Sequence, residues 1–410
     1  MKKYFIYLAM FIAVATLTTS CNDDDDVKQS NVTVNYTLPE GIEDVVVNEL
    51  KATFTNVSTG IPTVIDLTQS APSIVITEGL YDIDLEGNIT YKDGMEMVSS
   101  VIRSSQKGVS VTGANFTADM DIYISKITSG FVLSELFMAG TQKPDGDRYQ
   151  DDAYFRITNN SDVTLYADGL FIAESEFQSD MEEYDTAKPD IRKEATAIGY
   201  LCVLPGSGTD YPVEPGQSIL VAVNGINHKV DSLNPNSFDL SKADFEIYNE
   251  STRPDLYVDV DNPDIPNTKD LFTQSATVWT PHVRGVKSYL LGRLGTTADE
   301  WLANYTYHYE YLFVFGEYSF DMDGDAMKID NSWILDAVNI SPKDQYTWHV
   351  IDPTLDAGYA WYSEVQFDQN RLGKSVRRKY DAATGKLVDT NNSTDDFESP
   401  VIANPFYEFK

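Results

Sequence analysis

The most unusual string in the chain is YTYHYEYLFVFGEYSF, from Tyr305 to Phe320. In an extended strand Tyr305, Tyr307, Tyr309, Tyr311, Phe313 and Phe315 share one face, while Thr306, His308, Glu310, Leu312 and Val314 share the other. An aromatic face of this kind stacks on sugar rings and on catecholate siderophores, which makes Tyr305, Tyr307, Tyr309 and Tyr311 candidate ligand-binding residues. The same alternation also describes a strand whose aromatic side fills a core, and burial is the commoner fate of such residues. Both readings hold together if the tyrosine-rich end emerges while Phe313 and Phe315 stay inside.

Immediately downstream, DMDGDAMKID places Asp321, Asp323 and Asp325 at the first, third and fifth positions of a calcium-type loop. Alternating aspartates in a turn supply three of the several oxygens that calcium takes. The sixth position is Ala326 and the twelfth is Ser332, where such loops carry glycine and glutamate, so a solvated acidic turn is the stronger reading. DGDRYQDD, Asp145 to Asp152, is a second acidic turn of the same type. A basic cluster, Arg371, Lys374, Arg377, Arg378 and Lys379, stands out in an acidic chain. Arg377 and Arg378 are candidates for holding an anionic ligand such as a ferric siderophore or a uronic acid, and pairing with neighbouring carboxylates is the conservative alternative.

Signatures of catalysis are sparse. His228, His282, His308 and His349 are scattered, and no H-E-x-x-H, G-x-S-x-G, phosphate-cradling glycine loop or C-x-x-C occurs. A glycosidase needs only two well-placed carboxylates, and with 64 Asp and Glu residues the chain keeps that alternative open. The expectation is nevertheless a non-enzymatic protein with no resident cofactor. A formal charge of −34 repels nucleic-acid phosphates, while 42% hydrophobic and 12% aromatic residues suffice for a buried core.

The amino terminus determines delivery. Lys2 and Lys3 precede an apolar run from Tyr4 to Leu17, followed by the small residues Thr18, Thr19 and Ser20, which is the grammar of an export signal. The run is too short for a bilayer core of about 30 Å. Leu17-Thr18-Thr19-Ser20-Cys21 resembles a bacterial lipoprotein box in the relaxed form common in Bacteroidota, with Thr18 where a branched apolar residue usually stands. The resemblance implies lipidation of Cys21 and anchoring at the outer membrane. The acidic run Asp23 to Asp26 is similar to the signal that sends such lipoproteins to the cell exterior, and it also serves as a solvated tether. With Cys21 lipidated, Cys202 has no disulfide partner. Its setting, IGYLCVLPG, is that of a buried structural thiol.

These chemical groups need elements to position them, and the alternation is of β type throughout. Residues 1–20 read as signal and 21–31 as tether. Residues 32–120 read as short strands: Val32, Val34 and Tyr36, then Ile74 and Ile76, then Tyr81, Ile83 and Leu85. EGLYDIDLEG, with Gly79 two places before Tyr81, resembles the strand entry of carboxypeptidase-regulatory-like and immunoglobulin-like sandwiches, usually spacers. Residues 121–410 hold FVLSELFMAGT, YFRITNNSDVTLYADGLFI, and Pro215-Gly216 turning into the run Ser218 to Val223. SWILDAVNI, GKSVRRKY and DTNNSTDDF follow. Together these resemble a lamin-tail-type β-sandwich expanded by insertions. TTADEWLANY adds a short helix with Thr297 and Glu300 as a capping box. DSLNPNSFD and YVDVDNPDIPNTKD are loops.

Most of the chain after the tether is similar to an uncharacterised lipoprotein family of Bacteroidota, a domain of unknown function often encoded near TonB-dependent outer-membrane receptors. Where that family tends to read Tyr-Ile-Glu-Ile-Tyr-Asn, this chain has Tyr154-Phe155-Arg156-Ile157-Thr158-Asn159. The resemblance implies a surface-exposed binding or accessory component of an uptake system, with a TonB-dependent receptor as partner and a glycan, siderophore or metal complex as cargo. A structural or adhesive surface protein is the remaining alternative.

Overall fold

The computed structural model of the protein describes residues 28–38, 42–69, 72–93, 96–124 and 130–409. The export segment, Cys21 and the Asp23 to Asp26 run lie outside them. The fold is mainly β and falls into two parts, each built of two sheets closing on a shared core.

In the first part, Gln29–Thr37 runs antiparallel to Ser73–Thr77 and parallel to Asn115–Asp121, making a three-stranded sheet. The facing sheet orders Pro62–Asp66, Glu43–Asn56, Gly79–Asp93, Glu96–Val111 and Tyr123–Ile124, all antiparallel. The period of two puts Val32 and Val34 of one sheet against Leu50, Phe54, Tyr81, Ile83 and Leu85 of the other. Each such side chain contributes about 1.5–3 kcal/mol when fully buried. Gly87 admits no Cβ, because one would fall 2.1 Å from the Glu49 carbonyl oxygen. This sheet continues through Ile124, and Phe131 opens the second part.

The second part opposes a six-stranded and a seven-stranded sheet. The first orders Phe245–Glu246, Ser218–Ala222, Tyr154–Asn159, Phe131–Phe137, Lys374–Arg378 and Phe397–Ile402. The second runs Thr306–Phe315, Tyr318–Asp330, Ala195–Val203, Phe171–Ser175, Ser288–Gly292 and Ile334–Asn339, with Lys269–Thr273 also paired to Ala195–Val203. Leu133, Phe155, Ile157 and Val221 from one sheet meet Ile172, Tyr200, Cys202, Tyr289, Leu291 and Val338 from the other. Cys202 is fully buried and free, and burial pushes its thiol up to about 12, so it is chemically quiet.

The outer face of the seven-stranded sheet is also covered. Ala298–Asn304 forms the expected helix: Thr297 accepts from the Glu300 amide at 3.3 Å, and the Glu300 carboxylate accepts from the Thr297 amide at 3.4 Å. Its Trp301 enters a second core with Phe171, Leu201, Leu290 and Ile329, and donates through Nε1 to the Lys328 carbonyl.

The basic cluster is not an open patch. Lys374–Arg378 is a central strand of the six-stranded sheet, and Arg371, Arg377 and Arg378 are buried. Arg377 Nε donates to Glu135 at 2.9 Å. Arg378 donates through Nη2 to both oxygens of Asp336, at 2.9 and 2.8 Å, and through Nη1 to Asp389 and Asp396 at 3.2 and 3.3 Å. The expectation of an anion-binding surface at Arg377 and Arg378 is corrected accordingly: their guanidiniums are spent on carboxylates inside the fold, where a charge is tolerated only when paired.

Candidate functional site

The aromatic string forms a hairpin. Thr306–Phe315 and Tyr318–Asp330 pair in unbroken register from Thr306 opposite Met327 to Phe315 opposite Tyr318, around Gly316 and Glu317. Gly316 has φ +62°, a left-handed conformation that glycine adopts without the Cβ clash of other residues, as two-residue hairpin turns require. Only the last four residues of the return strand, Met327 to Asp330, pair with the body of the sheet, at Ala195 to Ile198. On the other edge, Lys188 and Glu310 exchange backbone hydrogen bonds at 2.8 and 3.0 Å, and the Leu312 amide donates to Thr186 Oγ1. Beyond Leu312 the two strands continue without a third, as a projecting arm.

Alternation divides the arm into two faces. Near its base the aromatic face turns inward. Tyr307 and Tyr309 are buried; Tyr307 donates to the Pro189 carbonyl at 2.8 Å, and Tyr309 to Glu176 at 3.1 Å. Their rings lie 5.5 Å apart, Phe177 meets Tyr309 edge-on at 4.9 Å, Tyr184 meets Tyr311 at 4.8 Å, and Tyr305 packs on Trp333 at 5.0 Å. Burial pushes the Tyr307 phenol up to about 12 and Tyr309 higher still, so neither is available as a phenolate metal ligand near neutral pH. Tyr305 and Tyr311 are half-buried against this core.

Towards the tip the same face opens to solvent. Phe315 is 71% exposed, Tyr318 70%, Phe320 49% and Met322 41%. The expectation that the tyrosines would emerge and Phe313 and Phe315 stay inside is corrected: Tyr307 and Tyr309 are buried, Phe313 is half-buried and Phe315 is exposed. The segment Glu182–Thr186 covers the tyrosines, and nothing among the described residues reaches as far as Phe315.

The opposite face of the arm is acidic. Glu310 stands across from Asp323, and Leu312 across from Asp321. His308 meets Asp325 at 2.9 Å, and that hydrogen bond raises the imidazole above its ordinary value. With Lys188 and Thr186, the residues His308, Glu310, Leu312, Asp321 and Asp323 line an open groove of about 430 Å³. Asp321, Asp323 and Asp325 thus lie along a strand, which corrects the expected turn. Neighbours on one face of a strand are about 6.6–6.8 Å apart, so the three carboxylates do not converge on one cation as a loop would make them. Among the described residues no three His, Cys, Asp or Glu side chains gather to hold a metal ion.

Sequence reasoning singled out the tyrosines and passed over Tyr318, Phe320 and Met322. The signal was present: the period of two continues on both sides of Gly316-Glu317, and Thr306 to Met327 contains no lysine or arginine.

Residues 214–403, which include the arm and the Arg378 pairs, match the model of a family described as "Protein of unknown function (DUF4876)". A crystal structure of a DUF4876 family protein from Bacteroides thetaiotaomicron is similar over 92% of this chain and 96% of that chain, with a TM-score of 0.55 and 22% identity. That likeness shows a shared fold across both parts of the molecule. No curated protein matches.

Proposed function

We propose that the protein is a non-enzymatic surface lipoprotein, anchored through Cys21 in the outer membrane and facing the cell exterior. In this reading the first part is an immunoglobulin-like spacer and the second a lamin-tail-like domain that serves a TonB-dependent nutrient-uptake system as an accessory. The observation that carries the reading is the tip of the arm. Phe315, Tyr318, Phe320 and Met322, on one face of a two-stranded projection, are each at least 40% exposed, and Leu312 and Val314 are exposed on the other face. An isolated hairpin gains nothing from such side chains in water, and contiguous exposed apolar surface marks interaction sites.

Charge selects the partner. Glu317 at the turn and Asp321, Asp323 and Glu310 farther down make the arm acidic, Thr306 to Met327 contains no lysine or arginine, and Lys188 beside Glu310 lies towards the base. A second copy would bring the same acidic residues and a formal charge of −34, and an anionic lipid surface would be repelled as well. The complementary surface is an apolar pocket on a protein rimmed with lysine and arginine. The outer loops of a receptor fit that description.

The reading is tested by purifying the full-length tagged protein from its native membrane, as wild type and as Phe315→Ser/Tyr318→Ser, with proteins identified by mass spectrometry. A TonB-dependent receptor retained by the wild type and lost from the variant is expected. Equal recovery from both would remove the arm from the account, and release of a Cys21→Ser protein into the medium checks the anchor.

A further inference from the structure

A second cavity, lined by no residue of the arm, lies where the first part of the molecule meets the second. It encloses about 220 Å³, below the roughly 300–1,000 Å³ of drug-sized sites, which suits one or two rings. Arg103, Ser105, Lys107, Asp84 and Glu86 line it from the first part; Tyr346, Tyr359, Asn392, Thr394 and Asp395 line it from the second. None of these was singled out from the sequence. Residues from the two sides are more than two hundred positions apart, and only the fold brings them together.

The walls carry both signs, and both cations are paired. Arg103 meets Glu86 at 3.3 Å and also donates to the Thr390 carbonyl, which ties the two parts together. Lys107 meets Asp84 at 3.3 Å, and Ser105 donates to the same carboxylate at 2.6 Å. Asp395 accepts from Asn392 Nδ2 at 2.7 Å. An anionic ligand finds no unpaired cation here, and the three carboxylates outnumber the two cations. A hydroxyl group both donates and accepts, so adjacent carboxylates and cations suit it on both counts. Arg103 is 5% exposed yet its Nε has no hydrogen-bond partner, and the buried hydroxyl of Tyr123 on the same wall has none either. Buried polar groups are rarely left so, and two on one cavity wall are groups that water or a ligand hydroxyl completes.

The opposite wall is aromatic. Tyr346 and Tyr359 stack in parallel with centroids 4.3 Å apart and 11° between planes, and Tyr359 also abuts Trp361 at 6.0 Å. Tyr346 is held from behind by His349 Nδ1, 2.7 Å from its hydroxyl, and Tyr359 donates to the Lys343 carbonyl at 2.9 Å. The stack covers the facing sides of both rings, so Tyr359, backed by Tyr346, is the ring left to offer a flat face beside the polar groups. The C–H face of a pyranose packs on such a surface while its hydroxyls reach the polar side.

We infer that this cleft between the two parts binds a neutral saccharide, one or two pyranose rings long, with Tyr359, backed by Tyr346, as the stacking wall and Arg103, Lys107, Asp84 and Asp395 as hydroxyl partners. The inference is independent of the arm and its partner.

Saturation-transfer NMR on the full-length protein in a sugar-free detergent tests it, with glucose, galactose, mannose, N-acetylglucosamine, N-acetylgalactosamine and their β-linked disaccharides as probes. At least one neutral probe is expected to bind. Tyr359→Ala should weaken it tenfold or more, and Ser105→Tyr, which fills the cleft from the other side, should abolish it. A melting curve on each variant reports that it has folded, and the two substitutions act on different parts of the molecule. Binding by no probe, binding that survives both substitutions, or tighter binding of glucuronate and galacturonate than of the neutral sugars would each overturn the assignment.

Discussion

The Arg378 pairs and the tip of the arm reverse the usual placement of charge and apolar surface. At Arg378 a guanidinium and three carboxylates sit inside the fold, each with partners. At Phe315 and Tyr318 two large aromatic rings stand in water with none. The first arrangement fixes structure: an ion group buried among Leu133, Asp336, Asp389 and Asp396 can form in one geometry only, and so locks the six-stranded sheet to the strand Ile334–Asn339 of the other. The second does nothing for the fold. Stability and interaction are therefore carried by different residues, and substitutions should separate them cleanly.

The largest effect is expected at the buried group. Arg378→Met removes the cation that, among the described residues, pairs with Asp336, Asp389 and Asp396, and stranding buried charges in this way costs about 3–5 kcal/mol. Urea unfolding of the variant should show that loss. A change below about 1 kcal/mol would mean that water reaches the carboxylates, and the contrast with the tip would collapse.

The next effect concerns protons. Burial lowers the His349 imidazole to about 4, whereas Asp325 raises the exposed His308. Between pH 6.5 and 4 the unfolded chain binds a proton at position 349 that the folded protein refuses. Folded stability is thus fully present above pH 6.5 and lost as pH falls, by about 2 kcal/mol at pH 5. His308 works in the other direction: its contribution is present below the ordinary histidine range and lost as pH rises through its raised folded value. NMR titration of the two rings should give midpoints on opposite sides of 6.5, the usual histidine value of about that magnitude. His349→Gln should flatten the acid limb of a melting-temperature profile. Equal midpoints would show that the interior around His349 is wet.

A smaller effect belongs to a feature legible from sequence. Thr297→Ala should cost about 1 kcal/mol by removing the cap of Ala298–Asn304, read out by thermal melting. That cap, the inward alternation of Tyr81, Ile83 and Leu85, the turn at Pro215-Gly216 and the buried Cys202 could all be read because each depends on neighbours a few residues away. What could not be read depends on distant ones. A period of two says that Tyr307 to Phe315 share a face, but only the packing of Phe177 and Tyr184, about 130 residues upstream, decides which end is covered. Likewise RR at 377 and 378 looks like a patch until Glu135 and Asp336 arrive from other strands. Alternation also left turn and strand undistinguished at Asp321, Asp323 and Asp325. The strand prevailed because their partners Leu312, Glu310 and His308 continue the hairpin register. The cleft at Tyr346 and Tyr359 had no local signal.

The smallest effect on stability is expected where the effect on binding is greatest. Phe315→Ser and Tyr318→Ser replace side chains that are at least 70% exposed and touch no core, so each should leave the unfolding free energy within about 0.5 kcal/mol of wild type. The two residues are register partners at the hairpin end, and cross-strand pairs contribute roughly 0.2–1 kcal/mol, which sets the upper limit of the loss. If the pair instead costs several kcal/mol, the rings belong to the fold and the arm is simply a badly covered edge. If stability holds while the co-purified receptor is lost, the aromatic tip is present for its partner alone. In that case adding salt should weaken the complex without touching the melting curve, because the acidic arm contributes through solvent-exposed charges that ions screen, whereas the Arg378 pairs are shielded from them.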